Sequence, residues 1–123
     1  MLPAQHRLRH RSAIQRVRRD GRRWHHPLFV LFVAPNGAAI SRFAVSASRH
    51  TGNAVIRNRL KRRMREALRP YLPSVQGGYD CLLVARQPLG EATFAEIESA
   101  LKQLLQRAAL LPDGFSRPCT DVT

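Results

Sequence analysis

Residues 52–65 read Gly-Asn-Ala-Val-Ile-Arg-Asn-Arg-Leu-Lys-Arg-Arg-Met-Arg. A helix turns about 100° per residue, so this segment and its continuation have two distinct sides. The apolar side carries Ile56, Leu60, Met64, Ala67, Leu68 and Tyr71. The other side carries Asn58, Lys61, Arg62, Arg65 and Arg69, with Arg57 at the boundary. We therefore expect a helix that packs on a core and presents cations to a polyanion.

The charge pattern favours nucleic acid as that polyanion. The chain has 21 Lys and Arg against 8 Asp and Glu, a net charge of +13. Solvent-exposed helix faces usually mix charges of both signs, but Glu66 is the only acid between residues 52 and 69. Lys61 and Lys102 are the only lysines, and arginine binds phosphate with two parallel hydrogen bonds. This composition predicts binding to nucleic acid.

The length of 123 residues suits one core. We predict a single RNA-binding domain over residues 1–111, with a basic segment at 1–11 and a disordered tail at 112–123. The 2 cysteines do not indicate a disulfide framework. The sequence has no apolar stretch of about 20 residues and no secretory signal, which predicts a cytoplasmic protein that does not enter a membrane.

Periodicity and turn residues predict the element order α-β-β-α-β-α. Ser12 and Gln15 resemble a capping box for a first helix at 13–20, which Gly21 would end in a left-handed conformation. Thr93 and Glu96 form a second capping box. The predicted strands are 28–33, 42–48 and 79–85, the basic helix runs from about 54 to 69, and the last helix buries Phe94 and its leucines. This order predicts an α/β fold in which a sheet packs against helices.

A known family carries the same basic motif. Gly52-Asn53-Ala54 followed by Arg57-Asn58-Arg59-Leu60-Lys61-Arg62 closely resembles the signature of the bacterial ribonuclease P protein subunit. The similarity extends over about residues 7–110. It implies a two-layer α/β sandwich like the second domain of a small-subunit ribosomal protein. It also implies a left-handed βαβ crossover through the basic helix, which the general right-handed rule does not predict.

The resemblance implies a role and partners. In that family the protein binds a catalytic RNA, and the RNA removes the 5′ leader of precursor tRNA. We expect one protein per RNA. No cofactor is held by the protein, and Mg2+ is bound by the RNA. The residues that fall on the catalytic-RNA face are Arg49, Asn53, Arg57, Asn58, Arg59, Lys61, Arg62 and Arg65. Thr51 replaces the aliphatic residue usual in relatives, and we expect it to cap the basic helix.

The resemblance also places a cleft for the leader between the first helix and the sheet. The residues at its positions are Ile14, Arg18, Phe32, Ser46 and Ser48. Relatives commonly have two phenylalanines where Ile14 and Arg18 stand. An aromatic ring can stack on a base, but the side chain of Ile14 cannot. The planar guanidinium group of Arg18 can stack on a base and can also bind phosphate. We expect weaker base stacking and a stronger electrostatic contribution to leader binding.

The sequence does not predict a catalytic or metal-binding residue in the protein itself. The 8 acids are scattered, and there is no Asp-x-Asp pair, no Cys-x-x-Cys and no glycine-rich phosphate loop. The alternative function is a ribosomal-RNA-binding or ribosome-assembly protein that uses the same basic helix. A DNA-binding regulator is less consistent with strands on both sides of that helix. A membrane-surface helix is disfavoured because the core needs the apolar side.

Overall fold

The computed structural model describes residues 4–86, 89 and 91–111, and it has the predicted α/β class. Its helices are α1 (Arg11–Asp20), α2 (Ala54–Leu68) and α3 (Phe94–Arg107). Its strands are β1 (Arg22–His25), β2 (Phe29–Pro35), β3 (Arg42–Ala47) and β4 (Tyr79–Ala85). Short 3-10 turns occupy Ala4–His6, Arg49–Thr51 and Arg69–Ser74. The tail predicted to be disordered, 112–123, lies outside the described residues.

The four strands form one sheet in the order β1-β2-β4-β3. β2 is antiparallel to β1 and β4, and β3 is parallel to β4. The basic helix α2 is therefore the crossover between two parallel neighbours, as the element order predicted. Its hand stays a prediction. β1 and β3 are the two edges of the sheet.

β1 is a strand that the sequence analysis missed. Its residues Arg22-Arg23-Trp24-His25 lack an apolar alternation, because the strand is paired on one side only and most of it is exposed. The pairing of Arg23 with Phe32 and of Trp24 with Leu31 defines it as the first arm of a hairpin. Backbone pairing with β2, and not the pattern of its own side chains, makes this segment a strand.

The main core lies between one face of the sheet and helices α2 and α3. Leu60, Met64 and Leu68 of α2 and Leu101 and Leu104 of α3 are almost fully buried there. Burial of each such side chain contributes about 1.5–3 kcal/mol. The large sheet residues of this core are Phe29, Leu31, Phe43 and Leu83.

Two residues expected in this core are exposed instead. Ile56 is 37% exposed and Phe94 is 41% exposed, so the prediction that both are core residues is wrong. Each stands in the first turn of its helix, ahead of the first residue that packs on the sheet. Those first buried residues are Leu60 in α2 and Ile97 in α3.

The second face of the sheet carries α1. Val17 is the only residue of α1 that is fully buried, in a small cluster with Leu8, Phe32, Ala34, Ala44 and Leu82. Ala13 and Ile14 are partly buried against it. The sheet thus has a large core on the α2–α3 face and a small one under α1.

The ends of α1 differ from the prediction. The helix begins after His10, which makes no side-chain cap, so Ser12 lies within the first turn and the capping box with Gln15 is wrong. Gly21 is extended, at φ −73° and ψ 154°, and not left-handed. Glycine is required there by close approach, because a Cβ would lie 2.4 Å from the Val17 carbonyl oxygen.

The caps of the other helices are well defined. Asn53 caps α2, since its Oδ1 accepts a hydrogen bond from the Ile56 N–H at 3.0 Å. The capping box of Thr93 and Glu96 on α3 is confirmed. The prediction that Thr51 caps α2 is wrong, because Thr51 lies in a 3-10 turn and its hydroxyl donates to the Ser48 carbonyl at 2.6 Å.

Candidate nucleic-acid interface

The polar side of α2 faces the edge of β3 that lies away from β4. Residues four apart on a helix lie on one side, so Arg57, Lys61 and Arg65 form a row next to the row of Asn58 and Arg62. All five of these residues line clefts against β3. The predicted basic face is thus half of a groove whose other half is the sheet edge.

The first cleft has a volume of about 530 Å³ and wraps around the edge of β3. Ile14 of α1 lines it on one side, and Asn58, Arg62 and Arg65 of α2 line it on the other. The N-terminal segment adds Arg7 and Leu8 to the lining. This cleft therefore brings together residues that the sequence assigned to two different sites.

The second cleft, of about 330 Å³, continues along the same strand edge. It is lined by Ser46 and Ala47 of β3 and by Arg57 and Lys61 of α2. Val45 and Asn58 line both clefts, so the two adjoin. We call the two clefts together the β3 groove.

The backbone of β3 adds polar groups to the β3 groove. The Phe43 carbonyl accepts a hydrogen bond from the Leu8 N–H at 2.9 Å, so the backbone groups of Phe43 point away from β4. Backbone groups alternate in direction along a strand, and those of Val45 consequently face the groove. Cationic side chains and an exposed strand edge thus lie on opposite walls.

The remaining residues predicted on the catalytic-RNA face lie elsewhere. Arg59 is exposed about 160° around α2 from Lys61, and it lines neither cleft. Asn53 is exposed and caps the helix, while Arg49 lies in the 3-10 turn after β3. Arg63, which was not assigned to the face, donates to the Ala92 carbonyl at 2.8 Å and ties α2 to the start of α3.

The residues predicted to bind the leader are spread along the face of the sheet that carries α1, together with α1 itself; we call this surface the α1 face. Ile14 and Ser46 line the β3 groove. Phe32 lies on β2 and is only 8% exposed. Its ring is flanked by the guanidinium carbons of Arg18, at 5.9 Å from the ring centre, and Arg23, at 6.0 Å. The ring of Phe32 is thus covered by cations and does not present an open stacking face.

Ser48 has a structural contact in addition to its predicted role. It follows β3 and is partly exposed, and its carbonyl accepts hydrogen bonds from the Thr51 hydroxyl and N–H. This contact closes the 3-10 turn that leads into α2.

Two groups of site residues were missed by sequence reasoning. Arg7 and Leu8 reach the β3 groove through a backbone bridge to Phe43, which no local pattern indicates. Arg23 reaches Phe32 because the two residues are paired across β1 and β2. The only local signal was the density of arginine around Gly21.

The acids near these surfaces are neutralised by arginines. Asp20 pairs with Arg19 at 3.0 Å, and Glu66 pairs with Arg69 at 3.1 Å. The hydrogen bond from Arg19 lowers the pKa of Asp20 and raises the pKa of Arg19. Away from the groove, burial raises the pKa of the Cys81 thiol, which lies in the main core. The polar side of α2 therefore carries a net positive charge.

Two absences can be stated for residues 4–86, 89 and 91–111. No group of three or more His, Cys, Asp and Glu in these ranges is arranged to hold a metal ion. None of the helices within them combines the length and the apolar character needed to cross a membrane.

The comparison with known proteins agrees with the motif in α2. The ribonuclease P family profile matches residues 2–109. The ribonuclease P protein component of Roseiflexus castenholzii is 41% identical over 112 residues, which cover 90% of this chain and 92% of the relative. That of Chloroflexus aurantiacus is 40% identical, covering 87% and 80%. The chain belongs to the ribonuclease P protein family. The predicted function as the ribonuclease P subunit in tRNA 5′ processing is confirmed, and the ribosomal alternative is not favoured.

Solved ribonuclease P proteins share the fold. The protein from Staphylococcus aureus superposes with a TM-score of 0.78 at 28% identity, covering 86% of this chain and 97% of that one. The protein from Thermotoga maritima gives 0.74 at 30% identity, covering 82% and 96%. A further S. aureus structure, with a TM-score of 0.79 at 27% identity over 86% and 90% of the two chains, is described as a mutant with defective mRNA degradation activity. Membership in this family implies the ribonuclease P RNA as a partner.

Proposed function

We propose that the chain binds the catalytic RNA of ribonuclease P through the β3 groove and the basic face of α2, and that the RNA performs the cleavage. The observation that carries this proposal is the convergence of Arg57, Lys61, Arg62 and Arg65 on one groove. Their charges reduce repulsion between phosphates of the folded RNA and of the precursor tRNA. Mg2+ is then bound by the RNA, and the protein lowers the Mg2+ concentration that cleavage requires.

The structural roles of the acidic residues support the proposal that the protein has no catalytic group of its own. General acid–base or metal-assisted hydrolysis needs carboxylates that are free to meet substrate. Four acids have structural partners instead, either arginines or a helix N-terminus: Asp20, Glu66, Asp80 and Glu96.

We also propose that the α1 face binds the 5′ leader. Arg18 and Arg23 cover Phe32, so leader binding on this face relies on guanidinium groups more than on ring stacking. Since mature tRNA lacks the leader, this contact favours substrate over product. One protein per RNA and a cytoplasmic location complete the proposal.

Reconstitution tests the role of the β3 groove. The protein is mixed with its cognate ribonuclease P RNA at low Mg2+, and removal of the 5′ leader is measured. A variant with Lys61, Arg62 and Arg65 changed to Gln is expected to lose most of the stimulation. Lys102→Gln is the control, because Lys102 is the other lysine and lies on α3. Equal loss in the two variants would contradict the proposal.

Salt dependence gives a second measure of the same contact. If about 6–8 phosphates are neutralised, the slope of log affinity against log salt should lie near −4 to −7. The triple variant should have a slope shallower by about 2–3, since each lost phosphate contact removes about 1. A wild-type slope shallower than about −2 would contradict binding through this surface.

Protein alone is the control for catalysis. One S. aureus structure is described as a mutant with defective mRNA degradation activity, so the purified chain is incubated with precursor tRNA and with an mRNA fragment without the catalytic RNA. We expect neither substrate to be cut. Cleavage by the purified chain that survives repurification would overturn the assignment of catalysis to the RNA.

A further inference from the structure

α1 is attached to the sheet by few apolar contacts. It has ten residues, and only Val17 is fully buried. An isolated helix of this length is marginal in water, so tertiary contacts must hold it. Ala13 and Ile14 pack on the same small cluster but are only partly buried, so the apolar contacts fix the rotation of the helix about its own axis loosely. A second attachment would define more firmly which residues of α1 face the sheet.

Asp80 provides that second attachment. It is 1% exposed, and it is the only buried charged residue in the described part of the chain. Arg42 of the neighbouring strand binds both of its carboxylate oxygens at 2.9 Å, and Asn36 donates to Oδ1 at 3.0 Å. These partners hold the carboxylate in one orientation at the start of β4.

Arg16 joins α1 to this carboxylate. Its Nη2 lies 3.6 Å from Asp80 Oδ2 and donates a hydrogen bond to the Pro35 carbonyl at 3.1 Å. The same nitrogen therefore contacts the end of β2 and the start of β4. Arg16 stands about 100° around the helix from Val17, so the two contacts together fix the rotation of α1.

The fixed rotation has a consequence for the leader face. Arg18 is two residues after Arg16, and in this orientation of α1 its guanidinium carbon lies 5.9 Å from the centre of the Phe32 ring. Ile14, one turn before Arg18, lines the β3 groove in the same orientation. We propose that the Arg16–Asp80 pair is a positioning contact that sets α1 on the sheet and so holds Arg18 and Ile14 where the leader binds. This inference rests on the proposed function of the α1 face.

A purely structural ion pair is the competing explanation. Buried ion pairs often contribute little net stability, and their clearest use is to select one arrangement among several. The two explanations differ in what happens to leader binding when Arg16 is removed while the sheet remains intact. Arg16 is suitable for this because Arg42 and Asn36 still satisfy Asp80.

The experiment compares Arg16→Ala with Arg19→Ala. Both remove one positive charge from α1, but Arg19 pairs with its exposed neighbour Asp20. Amide hydrogen exchange over Ile14–Asp20 is measured in the RNA-free protein. Affinity for precursor tRNA with a short and a long leader is measured in the complex with the catalytic RNA. We expect Arg16→Ala to speed exchange about tenfold and to reduce the advantage of the long leader about fivefold, with little change in Arg19→Ala.

Each other outcome is decisive. If leader dependence falls while exchange is unchanged, Arg16 contacts the leader directly and the positioning role is overturned. If exchange quickens while leader dependence is kept, the pair is only structural. If wild-type protein confers no leader dependence, the proposed leader function fails together with the positioning role, and the exchange comparison still reports whether Arg16 orders α1.

Discussion

Ile14 of α1 and Arg62 of α2 line the same cleft, on opposite sides of the edge of β3. The sequence assigned Ile14 to leader binding and Arg62 to the catalytic RNA. Their meeting at one strand edge means that the two proposed RNA surfaces adjoin. An RNA strand bound in the β3 groove would therefore lie next to the α1 face.

An aromatic residue in this cleft should strengthen leader binding. We expect Ile14→Phe to improve the leader-dependent part of precursor affinity by up to about 1–3 kcal/mol, since a ring stacks on a base. The matched control is Ile14→Leu, which keeps the apolar volume without a ring. Affinity is measured for precursors with and without a leader. A gain that is equal for both precursors, or equal in the two variants, would contradict a leader contact at Ile14.

Arg62 and Arg63 are adjacent on α2, but substitutions of the two should affect different properties of the protein. Arg62→Ala should weaken binding of the catalytic RNA and make the salt slope shallower by about 1, because Arg62 is exposed and lines the groove. Arg63→Ala should leave that slope unchanged and lower the free energy of unfolding by about 0.5–1.5 kcal/mol, the value of its hydrogen bond to Ala92. Salt titrations and urea unfolding of both variants check this. The idea fails if the two substitutions are interchangeable.

Substitutions of the two asparagines of the family motif should also differ in their effect on stability. Asn53→Ala removes the cap of α2 and should lower the free energy of unfolding by about 1 kcal/mol. Asn58 lies in the groove on an exposed part of the helix, so Asn58→Ala should change the free energy of unfolding by less than about 0.5 kcal/mol. Urea unfolding of the RNA-free proteins measures both. Equal destabilisation would show that the cap is not the role of Asn53.

His26 should make stability depend on pH. Its Nδ1 accepts a hydrogen bond from the Leu28 N–H at 3.0 Å, which requires that nitrogen to be unprotonated. Burial, and then the charge of Arg107, lowers the pKa of His26. The unfolded chain therefore binds the proton more readily, and the stability due to neutral His26 is complete above about pH 6.5 and is lost as pH falls through the lower folded pKa.

The test is the free energy of unfolding between about pH 5 and 7.5, a window that brackets the ordinary histidine pKa. We expect His26→Asn to show a shallower rise with pH than the wild-type protein. His25→Asn, at the exposed neighbouring position, serves as the control. Parallel curves for the wild-type protein and His26→Asn would show that His26 does not contribute.

The sequence predicted those parts of the fold that repeat at short range. The basic helix, the strands at β2, β3 and β4 and the cap of α3 follow from periods of 3.6 or 2 and from neighbours three residues apart. β1 was missed because its identity as a strand comes from pairing with β2 and not from its own composition. Ile56 and Phe94 fit their helical periodicity, but periodicity does not show where a helix extends past the core.

The candidate site divides in the same way. The sequence by itself determined the charge, the motif and the row of cations on α2, because these depend only on residue type and helical spacing. The tertiary structure alone decided that β3 is an edge strand, that Leu8 binds part of this edge, and that Arg16 meets Asp80 across 64 positions of chain. Contacts between residues so far apart depend on how the strands are ordered in the sheet, and local side-chain patterns carry no information about that order.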